Sequence, residues 1–449
     1  MARTAKKKPA LTPEEKLEQA LVPETEQPYQ VPENWCWVKL GHSAEIIMGQ
    51  SPEGSATTDD PTYMPLIGGA ADMGELYPKA SRYTKSPTKI SSTSDIILCI
   101  RATLGQAIFS DGEYCLGRGV AAVRSENLFR DYLRYGFINF EQYLYDNATG
   151  TTFAQVSSST LQKMPFPLPP LPEQHRIVTR IESLFAKLDE AREKAQAVVD
   201  GFEDRKAAIL HKAFTGELTE GWRASKNITR EIWRATTVKD VCNDVKVGIV
   251  IKPSQYYTDK ANGTPAFRSA NVREFHIDDF DWVYLNEFGM ESNRRSVVHT
   301  GDVLVVRSGN PGTACVVEEK YDGYNAIDIL IAVPDREIIT SDFLCAFTNS
   351  PMGRNLVAEN KRGMALAHFN VSGYSKLNLE LPSVSEQNEI IRILFDLMDK
   401  ELQAKEAAEQ VIDQIDTMKK SILARAFRGE LGTNDPEEES AVELVRRVL

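Results

Sequence analysis

Pro334-Asp335, followed by Glu359-Asn360-Lys361, imitates the carboxylate and lysine text of a metal-dependent nuclease core. Such chemistry needs carboxylates converging on one divalent ion. Among 64 acidic residues a short two-part pattern of this kind arises by chance, so the pair is read as coincidence. Asn310-Pro311-Gly312 is a turn, not the Pro-Pro-aromatic tetrapeptide of an amino-methyltransferase. No GxGxxG follows a strand, and there is no phosphate-loop lysine. The histidines, His42, His175, His211, His276, His299 and His368, are scattered without metal-ligand spacing. Cys36, Cys99, Cys115, Cys242, Cys315 and Cys345 form no CxxC pair, which points to reduced, buried thiols and not to zinc or disulfides. No cofactor site is expected, so these residues have to act by binding.

The elements that position them are announced by a repeat. LPPLPEQHRIV at 168–178 returns as LPSVSEQNEII at 381–391, and an ungapped offset of 213 holds until GEL at 216–218 meets GEL at 429–431. About 20 of these 51 positions are identical. Apolar residues step by four and three along each copy, as in a heptad seam. The first seam is Ile177, Ile181, Leu184, Leu188, Ala191, Ala195, Val198 and Phe202; the second is Ile390, Leu394, Leu397, Ala404, Ala408, Val411, Ile415, Met418 and Ile422, interrupted at Glu401. Pro172 and Ser385 suit helix starts, and Gly216 and Gly429 suit helix ends. Taken alone, such helices also fit a plain coiled-coil spacer.

A globular segment with α+β character precedes each helix. DIILCIR at 95–101 parallels DVLVVR at 302–307, MPLIGGAADM at 64–73 parallels TPAFRSANV at 264–272, and WVKLG at 37–41 parallels TVKDV at 237–241. GTTFAQVS at 150–157 aligns with GMALAHFN at 363–370. The expected boundaries are an arm at 1–29, partly disordered, a first globule at 30–167 and a helix at 168–218. A second globule at 219–380, a second helix at 381–431, and an acidic tail with a short helix at 432–449 follow. A helix of about 40 residues is roughly 60 Å long, whereas a domain of this size is about 40 Å across. The second globule joins the end of one helix to the start of the next, so the helices are expected to run antiparallel, with a pseudo-twofold between the halves.

Composition is that of a soluble globular chain, 42% hydrophobic and 26% charged. Nothing approaches the ~20 apolar residues of a membrane span, and MARTAKKKPALTPEEKLEQ has no signal-peptide core, so a cytoplasmic location is expected. The net charge of −12 argues mildly against phosphate contact over a broad basic surface. The proline text PFPLPPLP at 165–172 reads as a stiff lead-in to the helix.

The order globule–helix–globule–helix, the LPPLPEQHRIV and AFTGELTEGWR text, and their echoes at 381–391 and 426–431 resemble the specificity subunits of type I restriction–modification systems. The resemblance implies two target-recognition domains, each reading one half of a split sequence in double-stranded DNA. It implies helices that set the spacing and dock two modification subunits, which methylate adenine with S-adenosylmethionine. Restriction subunits using ATP and magnesium would join the same core. The chain itself would be non-catalytic, and partners would share the phosphate grip.

Base edges are read by Arg, Asn, Gln, Ser and Thr. On that basis the candidate readers are Arg101, Thr103, Gln106, Arg118, Thr151, Thr152 and Gln155 in the first globule. In the second they are Arg268, Ser269, Asn271, Arg307, Ser308, Asn310, Lys361, Arg362 and His368. Arg101 and Arg307 recur, so a framework role competes for them. Glu173, Gln174, Ile177 and Leu184, with Glu386, Gln387, Ile390 and Leu397, are expected on the docking seam. The competing readings are a protein-binding tandem scaffold and a stand-alone nuclease or methyltransferase.

Overall fold

The computed structural model describes residues 11–150, 153–362 and 369–449, with side chains in the middle stretch as far as Glu359. The fold is α+β. One compact unit runs to Lys194 and resumes over Val411–Leu449; the other is Ala195–Gln410.

The two units repeat one plan. In the first, strands Glu45–Met48, Val120–Arg124, Ile96–Cys99 and Ala107–Phe109 lie side by side in that order, all antiparallel. The second has Cys242–Val247, Ile329–Pro334, Val303–Val306 and Ala314–Val316 in the same order and sense. The central strands are buried on both faces, which is why Ile96–Cys99 and Val303–Val306 read as continuous apolar runs. A second four-stranded sheet in each unit contains one parallel pair, Met64–Ile67 with Cys115–Leu116 and Thr264–Phe267 with Asn325–Ala326. A third, two-stranded sheet leads into each long helix: Cys36–Lys39 with Pro165–Leu168, and Arg234–Thr237 with Asn378–Leu381.

Strand register corrects two of the expected parallels. Leu40 N–H donates to Met164 O at 2.9 Å and Val238 N–H to Leu377 O at 3.0 Å. Leu40 therefore matches Val238, and the WVKLG/TVKDV alignment is two residues out. Ile100 O accepts from Val156 N–H at 3.0 Å, and Arg307 O accepts from Phe369 N–H at 3.2 Å. Arg307 thus occupies the place of Ile100, and Arg101 that of Ser308.

The long helices are Leu171–Asp200, continued after Gly201 by Phe202–Thr215, and Val384–Phe427. Gly216 and Gly429 end them at φ +85° and +75°, as left-handed caps. The cap of the second helix is Ser383, not Ser385: its hydroxyl accepts from Glu386 N–H at 3.3 Å. In the first unit Lys419 pairs with Asp189 at 2.5 Å and Arg192 with Asp416. In the second, Arg205 pairs with Glu401 at 2.7 Å and Lys405 lies over the Phe202 ring at 5.1 Å. Rising numbers on one helix meet falling numbers on the other, so the helical segments are antiparallel within each unit.

Glu173, Gln174, Glu386 and Gln387 are fully buried and face their own globules, not a docking seam. Gln174 Oε1 accepts from Phe129 N–H at 2.7 Å, and its Nε2 donates to Asn127 O and Pro169 O, both at 3.0 Å. Gln387 repeats the pattern: Thr340 N–H donates to it at 2.8 Å, and it donates to Ile338 O at 2.9 Å and Pro382 O at 3.0 Å. Trp35 Nε1 donates to Glu173 at 2.7 Å, and Trp233 Nε1 to Glu386 at 3.0 Å. The remaining donors differ. Asn434 serves Glu173 at 2.9 Å, while Thr219 and Arg223 serve Glu386 at 2.8 and 2.6 Å. Ile177 and Ile390 lie in the hydrophobic cores, and Leu184 and Leu397 are half-buried.

The second seam also differs from expectation. Ala404, Val411 and Met418 are exposed, and the inward stripe is Leu394, Met398, Glu401, Lys405, Ala408, Ile412, Ile415, Lys419 and Ile422. Glu401 belongs to the seam because Arg205 neutralises it. Part of the arm expected to be disordered is folded: Thr12 and Glu15 close a capping box on helix Pro13–Ala20, and Ala20 and Val22 are buried. The C-terminal helix Ala441–Arg446 packs beside it, with Ala441 and Val445 in the same core.

Gln174→Ala and Gln387→Ala each strand a buried N–H and two carbonyls, and each should lower unfolding stability by about 2–3 kcal/mol in denaturant titration. Burial raises the Glu173 pKa, against the hydrogen bonds from Trp35 and Asn434 that lower it. The folded state then holds that proton more tightly than the unfolded chain. Stability is lost as pH rises above the ordinary glutamate value of ~4.3. Glu173→Gln should therefore gain on the parent as pH rises from that value toward neutrality. A difference that is flat with pH would contradict the assignment.

Candidate nucleic-acid interface

In each unit, the ends of two parallel-running strands and the start of the strand between them meet at one edge of the sheet. In the first unit these are Met48, Cys99 and Val120. The loops they carry are tied together: Ile100 N–H donates to Gly119 O at 2.9 Å, Gly119 N–H to Gly68 O at 3.1 Å and Gln50 N–H to Leu116 O at 2.8 Å.

Four candidate readers converge there. Arg101 and Gln155 form a backbone bridge, and Thr103 N–H folds back on Arg101 O at 2.9 Å. Arg118 donates from its backbone and from Nε to Ser51 Oγ, at 3.2 and 3.3 Å. Arg101, Thr103, Arg118 and Gln155 are exposed, and Gln106 is half-buried beside them. Ala102 is held at φ +65°, with its N–H on Ala154 O at 2.9 Å, so Arg101 stands at a fixed corner. Thr151 and Thr152 lie outside the described residues. Phe153, on the same loop and 57% exposed, was not anticipated; a lone aromatic in polar loop text gives no periodic signal.

The corresponding edge of the second unit is built differently. Arg307 is only 12% exposed; its Nε donates to Phe369 O at 3.0 Å and its Nη1 to Asp328 at 2.5 Å. It is framework, holding two loops together through Nε and Nη1. Arg268 Nη2 is held by Asp281, at 2.7 Å, while its buried Nε has no partner among the described residues. Asn271 is fully buried: its Oδ1 accepts from Arg268 N–H at 2.9 Å and its Nδ2 donates to Phe280 O at 2.7 Å. In the first unit Asp72 does the same job, accepting from Gly68 N–H at 2.7 Å. Asn271 is therefore a turn-closing residue and is unable to present its amide to a base.

Ser269 and Ser308 are half-buried, and Asn310 is exposed between Gly309 and Gly312, both at positive φ. Arg354, missed in the sequence, braces this loop: Nη1 donates to Pro311 O at 3.0 Å and Thr313 Oγ1 at 3.1 Å, while Nη2 reaches Glu274 at 2.9 Å. Lys361 and Arg362 end the helix Pro351–Arg362, but their side chains, and His368 altogether, lie outside the described residues.

The nuclease-like pair has no such convergence. Asp335 Oδ1 accepts from its own turn, from Glu337 N–H at 3.1 Å, and Glu359 is exposed on its helix. No cluster of three or more His, Cys, Asp and Glu fit for a metal occurs among the described residues. Burial pushes the Cys36 and Cys242 thiols up to about 12, which keeps them protonated and unreactive at neutral pH.

Arg307→Ala should lower the melting temperature clearly, because it leaves Asp328 and Phe369 O without their partner. Arg101→Ala should leave stability within ~0.5 kcal/mol of the parent. Equal destabilisation by both would restore the view that they are one framework position.

Comparison with known proteins places this arrangement. Residues 32–198 match the family described as type I restriction modification DNA specificity domain. The EcoKI specificity subunit of Escherichia coli K12 is 24% identical over 90% of both chains. The putative MjaX specificity subunit of Methanocaldococcus jannaschii is 28% identical over 42% of this chain, and the Escherichia coli EcoBI specificity subunit 26% over 64%. These two matches span 44% and 62% of the relatives' own lengths. In fold, the HsdS subunit from Thermoanaerobacter tengcongensis superposes with a TM-score of 0.64 at 19% identity, covering 90% of this chain and all of that one. A second solved chain, from work on assembly and conformational transition of the type I system, gives 0.63 at 19% identity, with the same coverage. Residues 32–198 thus carry the type I restriction modification DNA specificity domain, and the chain as a whole is similar in sequence and in fold to type I restriction–modification specificity subunits.

Proposed function

We propose that this chain is the non-catalytic, DNA-reading subunit of a type I complex, with each unit reading one half of a bipartite duplex target. The observation that carries this reading is the pairing of a repeated frame with unlike edges. Strand order, sheet sense and the Glu–Gln contacts recur, whereas the loops at the reading edge present Arg101, Thr103, Arg118 and Gln155 in one unit and Ser308 and Asn310 in the other. Arg and Gln suit bidentate contacts to guanine and adenine in the major groove. The long helices act as the spacer between half-sites.

Two modification subunits carrying S-adenosylmethionine dock on the helices, and restriction subunits with ATP and magnesium join them. The docking surface is not the buried Glu–Gln pair. The exposed apolar residues of helix Val384–Phe427 suit it better: Phe395 and Leu402 in one unit, Val411 and Met418 in the other. With a net charge of −12 on this chain, the partners supply much of the phosphate contact.

A methylome of the chain co-expressed with its modification subunit in a methylation-free host tests the reading. The expected product is methyladenine in a bipartite motif with a fixed gap. Exchange of residues 30–167 for those of another specificity subunit should change one half only. Complex formation without any motif would overturn the DNA-reading role. Val411→Asp with Met418→Asp should abolish co-purification of the modification subunits while leaving the melting temperature within a few degrees; unchanged co-purification would move the docking surface elsewhere.

A further inference from the structure

The repeated frame allows the two reading edges to be compared position by position. Gly49 and Gly248 are equivalent: Gly49 N–H donates to Val120 O at 3.0 Å and Gly248 N–H to Ile329 O at 2.8 Å. Neither tolerates a Cβ, which would fall 2.1 Å from Gly117 O in one and 2.3 Å from Ala326 O in the other. Beyond this shared glycine the loops part company. The first unit continues Gln50-Ser51-Pro52-Glu53, and Ser51 holds Arg118. The second continues Ile249-Val250-Ile251-Lys252.

In the second loop Ile249 is buried in a small core with Ala266, Leu285 and Ile327, but Val250 is 49% and Ile251 79% exposed. The tip is rigid. Asp328 N–H donates to Ile249 O at 3.0 Å on one side, and on the other Lys252, at φ +44°, leads into the turn Pro253–Tyr256. From Gly248 to Thr258 the only charge is Lys252, in a chain that is acidic overall. A fixed pair of β-branched side chains beside a lysine, at the edge where the other unit presents an arginine, fits an anionic partner with an apolar feature inside its groove.

We infer that Ile251 reads the 5-methyl group of a thymine in the major groove, with Lys252 on the adjoining phosphate; this rests on the DNA-reading function proposed above. An aliphatic side chain has no hydrogen bond to offer a base edge, and the thymine methyl is the apolar group that the groove displays. The first unit reads with hydrogen bonds at the equivalent loop, and the second adds a hydrophobic contact.

The experiment uses the full complex with its modification subunits and duplexes carrying the motif found by methylome. Each thymine of the half-site assigned to the second unit is replaced in turn by deoxyuridine, which removes only the methyl group. One substitution should weaken the parent about fourfold, the value of one buried methyl. Ile251→Ala should lose a similar factor on the thymine duplex and be indifferent to deoxyuridine there. Its methylome should relax at that position and keep the first half intact, which also shows that the variant is folded. Parent binding that no deoxyuridine changes by twofold overturns the inference, as does full sensitivity in Ile251→Ala or a half-site without A·T pairs. A parent complex that yields no bipartite motif sinks the DNA-reading function itself, a distinguishable result.

Discussion

The buried Glu–Gln pair at the start of each long helix is the contact on which the rest of the structure depends. A helix start leaves backbone N–H groups unpaired and carries a partial positive charge. Glu173 and Glu386 sit in that first turn and accept indole N–H groups from Trp35 and Trp233. Gln174 and Gln387 reach the other way, to the loops before the helices Arg130–Asn139 and Ser341–Asn349. In each unit three separate pieces of chain, the lead-in strand, the loop and the helix, are held by two side chains that are adjacent in sequence.

This arrangement frees the opposite edge of the sheet. The Glu–Gln contacts do not involve it, and the loops there differ between units while the frame recurs. Arg307 shows how far the divergence goes: the second unit fills with a half-buried arginine, bonded to Asp328 and Phe369 O, the position that Ile100 fills in the first. The two solutions are exclusive. A guanidinium at that depth requires Asp328 as partner, whereas Ile100 needs only apolar neighbours. The edge loops therefore work as sets, and a single residue moved from one unit to the other would lack its partners.

The same logic explains what was legible in the sequence. The Glu–Gln text repeats because every atom of it is used, and its offset of 213 carries faithfully to Val156 and Phe369. The arginines ending DIILCIR and DVLVVR looked equivalent but are one residue out of phase; an apolar run marks a buried strand without marking its last position. Asn271 offers the atoms an adenine would accept and spends them on a turn. On the second helix two stripes, three residues apart, are both partly apolar. Periodicity preferred the one with Val411 and Met418, whereas packing chose the one with Glu401 and Lys405, because Arg205 and the ring of Phe202 complete those side chains. Partner side chains decide such cases, and a single sequence does not display them.

A buried polar anchor is an expensive way to join a globule to a helix, and apolar packing would hold the two together as tightly. What apolar packing does not supply is register: leucines at heptad spacing find similar neighbours after a slip of one turn, about 5.4 Å. A carboxamide that must accept from one N–H and donate to two carbonyls finds them in one place only, and any slip leaves all of them buried and unpaired. A reader of base edges works to tolerances well below one helical turn, because bidentate contacts require hydrogen-bond distances near 2.9 Å. The fixed register at Gln174 and Gln387 is thus what gives the loops at the far edge of each sheet a defined place with respect to their own helix.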